Sequence, residues 1–285
     1  MNGLKTAALL ALMTALLMVI GRLVGGMEGM FVMFIIASLM NVYSYWNSDK
    51  LVLKAYNAIP VSQRDNPSLY GMVENLARKG NLPMPAVYII NSDVPNAFAT
   101  GRNPSHAAVA VTTGIMDVLT DDEIEGVLAH ELTHVKNRDT LVSTIAATMA
   151  GFISMIANAL QWMSFFGGGR GEDGEQANPI VLIATIILAP LAASLIQMGI
   201  SRSREYMADE GGAEMSGKPL ALASALAKID YMAKHKKLPD AQPTSAHLFI
   251  INPLSGVGAT LSSLFSTHPT TASRIERLKE IASRR

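Results

Sequence analysis

The chain has 285 residues, room for one large domain or two small ones, with a formal net charge of zero and no cysteine. No basic stripe with interleaved aromatics points to a nucleic-acid partner, and the absence of thiols rules out disulfides and a cysteine nucleophile. With 49% hydrophobic and 16% charged residues and a mean hydropathy of +0.27, the composition is too apolar for an ordinary soluble globule, so part of the chain is expected in lipid.

Two uncharged apolar runs open the sequence, Thr6 to Gly21 and Gly29 to Ser48. The second ends in Tyr43, Tyr45 and Trp46, aromatics that suit a membrane interface. A cleaved secretory signal is the alternative for the first run, but no small-x-small cleavage site leads into a soluble chain; a second membrane-length run follows instead. A helix is predicted over Pro67 to Lys79, ending at Gly80, with Leu69, Met72, Val73 and Leu76 spaced for one buried face. Strands are predicted over Pro85 to Ile90 and His106 to Thr112. Between them, Asn96-Ala97-Phe98-Ala99-Thr100-Gly101 is a segment of small and polar residues that composition alone reads as a loop.

Thr120-Asp121-Asp122-Glu123 is a capping box that starts the next predicted helix, and this helix carries His130-Glu131-Leu132-Thr133-His134. Residues four apart share a helix face, so His130 and His134 can bind one zinc ion while Glu131, one step round, reaches a water held beside it. That arrangement is the working end of a zinc peptidase. Two more uncharged runs follow, Thr140 to Gly169 and Gln176 to Ser201, each long enough at roughly 1.5 Å per residue to cross a hydrocarbon core of about 30 Å. Buried core helices are the alternative for these two. Pro190 predicts a kink in the last run. Helices over Ser203 to Met215 and Leu220 to His235, a Pro-rich irregular stretch and a helix from about Thr270 complete the chain.

The organisation expected is therefore a transmembrane hairpin at residues 1–46, a water-facing part at 47–139, a second transmembrane hairpin at 140–201 and a second water-facing part at 202–285. The linker between the third and fourth spans sets Arg170 against Glu172, Asp173 and Glu175. Lys50, Lys54, Lys136, Arg138, Arg202 and Arg204 flank the opposite side, which places both termini and the histidine motif in the cytoplasm.

A catalytic zinc needs a third protein ligand and an open position. Glu205 and Asp209, four residues apart on the helix leaving the fourth span, share a face; one can ligate the metal while the other accepts the free N–H of a ligand histidine. A solvated acidic pair is the plain alternative. The second hairpin brings Glu205 and the histidines to within roughly 10 Å of the same membrane face. Asp139 lies at that face too, where pairing with Arg138 or Arg202 is the simpler expectation. His106, His235 and His247 lack a partner at ligand spacing and are read as non-catalytic.

Taken together, His130 to His134, Glu205-x-x-x-Asp209, Asn96 to Gly101, and Thr267-His268-Pro269 followed by Arg274-Ile275 resemble the M48 membrane zinc metalloproteases, in their small four-span branch, along essentially the whole chain. The related CaaX prenyl proteases carry more spans and are less similar. The resemblance implies a mainly α protein with a small β-sheet (α+β): four transmembrane helices and a composite cytoplasmic catalytic domain of the zincin (gluzincin) type. It implies one Zn²⁺ per chain with Glu205 as third ligand beside His130 and His134, Asp209 holding a ligand histidine, and Asn96, Ala97, Phe98 and Ala99 lining the substrate groove. An active site at the bacterial inner membrane, with misfolded membrane proteins or unfolded polypeptides as substrates, follows from the same likeness. Glu131 is then the general base, and His268, its backbone restricted by Pro269, is the donor to the oxyanion, with Arg274 positioning that segment. The competing class is a transporter or assembly factor with a non-catalytic metal site. The predicted spans carry no acidic or basic residue apart from Arg22 near one end, and a structural zinc site usually contains cysteine, so both points favour the peptidase.

Overall fold

The computed structural model describes residues 2–146, 148–149, 153, 202–235, 250 and 269–284. Helix α1 (Asn2–Trp46) is broken at Gly25 and Gly26, where Gly26 takes φ 62°, so it is a hairpin of two helices, Gly3–Arg22 and Gly25–Trp46. At 20 and 22 residues both are long and apolar enough to cross a membrane. The turn can be tight because the two backbones touch at glycines: a Cβ on Gly21 would sit 2.4 Å from the carbonyl oxygen of Gly29. Phe31, Val32, Ile35, Leu39 and Val42 all leave their side chains exposed on the second helix.

The water-facing part starts with α2 (Ser48–Ala55) and strand β1 (Ile59–Pro60), followed by α3 (Pro67–Lys79), whose first turn is closed by the Asn66 side chain accepting from the N–H of Leu69. Then come β2 (Ala86–Ile90), β3 (Ala97–Gly101), β4 (Ala107–Thr112), a short α4 (Thr113–Val118) and α5 (Asp121–Lys136). The later helices are α6 (Arg202–Ser216), α7 (Pro219–His235) and α8 (Thr271–Ser283). The described residues are thus mainly helical with a small mixed sheet; the predicted water-facing helices and the two predicted strands stand within a residue or two of their expected bounds, while the first two predicted spans begin three to four residues earlier than expected.

Among the described residues, several elements go beyond the sequence reading, among them α2, β1, α4 and, above all, β3. The last was expected to be a loop, yet it pairs antiparallel with β4 along its whole length. The sheet order is β1-β2-β4-β3, with β2 and β4 parallel, so β3 is the edge strand on the side of α5. The main core forms between α3, one face of the sheet and helices α5, α7 and α8, through Leu69, Val73, Leu76, Val109, Val111, Leu128, Leu132, Leu222, Leu226 and Leu278. On the other face, Phe98, Ala108 and Ala110 pack on Val52 and Leu53 of α2.

After α5 the chain is again helical at residues 140–146, 148–149 and 153. Val142, Ile145, Ala146, Met149 and Ile153 pack with Leu9, Met13, Leu17 and Ala37 of the first hairpin. The remainder of the predicted third span, the fourth span with Pro190, the acidic linker between them and His247 lie outside the described residues.

Candidate metal centre

Helix α5 is fixed at its N-terminus by the capping box read in the sequence: the Thr120 hydroxyl accepts from the Glu123 N–H, and the Glu123 carboxylate accepts from the Thr120 N–H at 2.8 Å. Lys228 and Ser224 of α7 both donate to Glu123 at 2.7 Å, tying α7 to this end. Helix α6 then lies against the middle of α5 at very short range. A Cβ on Gly212 would fall 2.8 Å from the backbone nitrogen of His130, so only glycine permits this approach. The close approach carries the N-terminal half of α6, with Glu205 and Asp209, to the histidine face of α5.

The result is a cluster of ligand atoms from His130, His134 and Glu205 lying within 4.8 Å of one another. The two Nε2 atoms are 3.2 Å apart, and the Glu205 oxygens lie 3.7 Å from His130 Nε2 and 3.6 Å from His134 Nε2. A tetrahedral zinc with bonds of about 2.0–2.1 Å sets its ligand atoms about 3.3 Å apart, so the donor set fits such an ion. Each histidine is oriented from behind. His130 Nδ1 is 2.9 Å from Asp209 Oδ1, and His134 Nδ1 is 3.3 Å from Asp139 Oδ2. With both Nδ1 atoms donating, the two Nε2 lone pairs point at the same small space, an arrangement that suits a cation between them.

Electrostatics agree. Burial opposes a charge on His134, but the hydrogen bond and charge of Asp139, with Glu205 and Glu131, override it and push its pKa up to about 9. In the absence of a metal, the surrounding carboxylates would thus hold a proton there instead. Glu131 is buried and its Oε2 accepts the Ala99 N–H at 3.0 Å. Burial raises its pKa, against the lowering effect of His130 and His134.

Asp209 is held in turn by Arg274 of α8, whose Nη1 also donates to the carbonyl of Ile250 at 3.0 Å. Of the residues singled out in the sequence, the structure thus brings His130, Glu131, His134, Glu205, Asp209 and Arg274 together; Arg274 grips Asp209. Ala97, Phe98 and Ala99 form the edge strand beside them, with the Phe98 ring turned to Tyr56 at a centroid distance of 5.3 Å. Asn96 is buried and its Oδ1 accepts the N–H of Ile250 at 3.2 Å. His268 lies outside the described residues. Asp139 makes a contact the sequence reading did not give it: its carboxylate faces His134.

A sequence model of peptidase family M48 matches residues 63–282, most of the chain. The chain belongs to peptidase family M48. As an M48 member it is 57% identical to the Protease HtpX homolog of Methylibium petroleiphilum over 100% of this chain and 99% of that protein. It is 55% identical to the Protease HtpX homolog of Paraburkholderia phytofirmans over 99% and 97%. This M48 chain is therefore a metalloprotease, the family to which its motifs pointed. In fold it is similar to the crystal structure of S. mikatae Ste24p, with a TM-score of 0.52 and 18% identity; the match covers 97% of this chain, which spans 64% of the Ste24p chain.

Proposed function

We propose that this protease is an integral-membrane, zinc-dependent endopeptidase that cuts misfolded membrane or membrane-associated proteins. The observation that carries the reading is the convergence of His130, His134 and Glu205, with Glu131 buried beside them. His130, His134 and Glu205 would hold the zinc. When bound there, zinc supplies Lewis acidity, polarising a carbonyl and acidifying water. Glu131 takes the proton from the attacking water and delivers it to the leaving amine; burial raises its pKa, which makes it a better proton acceptor than an ordinary carboxylate. Asp209, clamped by Arg274, keeps His130 Nε2 turned toward the metal. The outer edge of β3, where Ala99 turns its N–H away from β4, is where an extended peptide adds as a further strand, with Ala97 to Ala99 supplying the backbone contacts. We assign the donor for the developing oxyanion to His268.

The proposed setting is the bacterial inner membrane, with four spans, both termini and the centre on the cytoplasmic side, and a gluzincin-type catalytic domain composed of residues 47–139 and 202–285. Two membrane-length N-terminal helices, and the packing of Val142, Ile145, Ala146, Met149 and Ile153 on them, support it. A transporter or assembly factor with an inert metal site is disfavoured by the family.

Metal analysis of purified protein with a casein digestion assay, with and without chelator, tests the reading. Close to one zinc per chain and chelator-sensitive cleavage are expected. Glu131→Gln should keep the metal and lose about 10²–10⁴ in turnover; metal-free protein that still digests casein overturns the proposal.

A further inference from the structure

Helix α5 ends in a Schellman turn. The Arg138 N–H donates to the carbonyl of Val135 at 3.1 Å, the Asp139 N–H donates to the carbonyl of His134 at 3.2 Å, and Arg138 takes the left-handed φ of 57° that this turn demands. Residues five apart do not share a helix face, but the reversal swings Asp139 back beneath His134. There its Oδ2 lies 3.3 Å from His134 Nδ1. The Asp139 side chain is only 3% exposed, and its Oδ1 is buried without a hydrogen bond, so the His134 ring is its hydrogen-bond partner. The nearby guanidinium of Arg204 adds charge compensation.

The same residue opens the next helical segment. The Ser143 N–H reaches the Asp139 carbonyl at 3.4 Å, Thr140 Oγ1 donates to the carbonyl of Gly101 at 3.1 Å, and Thr144 Oγ1 meets Thr100 Oγ1 at 3.0 Å. Asp139 therefore sits at a junction of three parts: the second histidine of the metal centre, the end of edge strand β3, and the helix that packs on the first hairpin.

We propose that Asp139 is a positioning residue for the metal centre, fixing the tautomer and ring plane of His134 as Asp209 does for His130, and linking that ligand to the helix that leaves toward the membrane. A buried carboxylate at this place is costly unless it is paired, and a ligand histidine held by such a partner binds metal about 10- to 100-fold more tightly than one without it.

The inference rests on the metal-site reading, and the test separates the two. Zinc affinity of the full-length protein in detergent is measured by chelator competition for the parent, Asp139→Ala, Asp139→Asn and His134→Ala, and the visible spectrum of each cobalt-loaded protein is recorded. Asp139→Ala should lose about 10- to 100-fold in zinc affinity. Asp139→Asn, which keeps an oxygen acceptor and an equally good helix cap, should fall between it and the parent, with a shifted cobalt spectrum. If His134→Ala weakens zinc while Asp139→Ala stays within about twofold of the parent, the role of Asp139 is refuted. If His134→Ala also binds as the parent does, the metal centre itself is misassigned. Should Asp139→Ala not fold, an Asp139→Asn protein with the parent's affinity and cobalt spectrum refutes the proposal.

Discussion

Arg274 holds Asp209 with two parallel contacts, Nε to Oδ2 at 2.8 Å and Nη2 to Oδ1 at 2.7 Å, and both side chains are 1% exposed. Burial disfavours a charge on Asp209, but the charge and hydrogen bonds of Arg274 outweigh it and keep the carboxyl below its usual range. The guanidinium thus keeps ionised the group that faces His130.

Removing one partner of such a pair leaves a buried charge uncompensated, which costs about 3–5 kcal/mol. Arg274→Ala should therefore melt at much lower denaturant concentration than the parent in the metal-free state, and bind zinc less tightly. Arg274→Lys keeps the charge but not the planar fork, so it should recover only part of the loss. Unfolding curves within about 1 kcal/mol of the parent for Arg274→Ala would contradict the clamp.

Gly212 sets the distance between α5 and α6. Gly212→Ala places a methyl group 2.8 Å from the His130 nitrogen, a contact that only a shift of one helix can relieve. About 1–3 kcal/mol of destabilisation is expected, together with weaker metal binding, because Glu205 moves with α6. The contrasting substitution is Gly71→Ala, on a helix with no atom within 4 Å of the added carbon. It should leave metal affinity unchanged, and equal effects at both positions would show that the α5–α6 spacing is not what matters.

Glu123 gives the fold an acid-sensitive joint away from the centre. Burial works to raise its pKa, but hydrogen bonds from Lys228, Ser224 and the Thr120 backbone, with the Lys228 charge, hold it below 4.5. A carboxyl depressed on folding contributes stability that is complete above its unfolded pKa and is lost as pH falls through the lower folded value. Glu123→Gln should thus be less stable than the parent by about 1 kcal/mol at pH 7, and the gap should close on acidification below pH 4.5. Denaturant titrations of both proteins across that range read this directly; a gap that widens in acid has the wrong sign.

Helix α5 could be read from the sequence because local and distant signals agree there: Thr120 and Glu123 start it, and the apolar and histidine positions repeat at helical spacing. Strand β3 could not. Ala97, Ala99 and Gly101 have little strand preference of their own, and the segment is extended because β4 supplies its ladder and Glu131 of α5 accepts the Ala99 N–H. The contact between Asp139 and His134 was missed for a different reason. A separation of five from His134 is not a contact on a regular helix, and it becomes one only after Arg138 enters the left-handed region. The partnership of Glu205 with the histidines was legible as chemistry, while its cause, the bare backbone of Gly212, was not.

The side chains that build and brace the centre come from residues 130–139, 205–209 and 274, the last of them in α8. A chain still being synthesised therefore cannot brace this centre while α8 remains inside the ribosome. By the time Arg274 emerges, the apolar segments that precede it have already left the exit tunnel. Assembly order alone thus delays completion of the centre until α8 has been made.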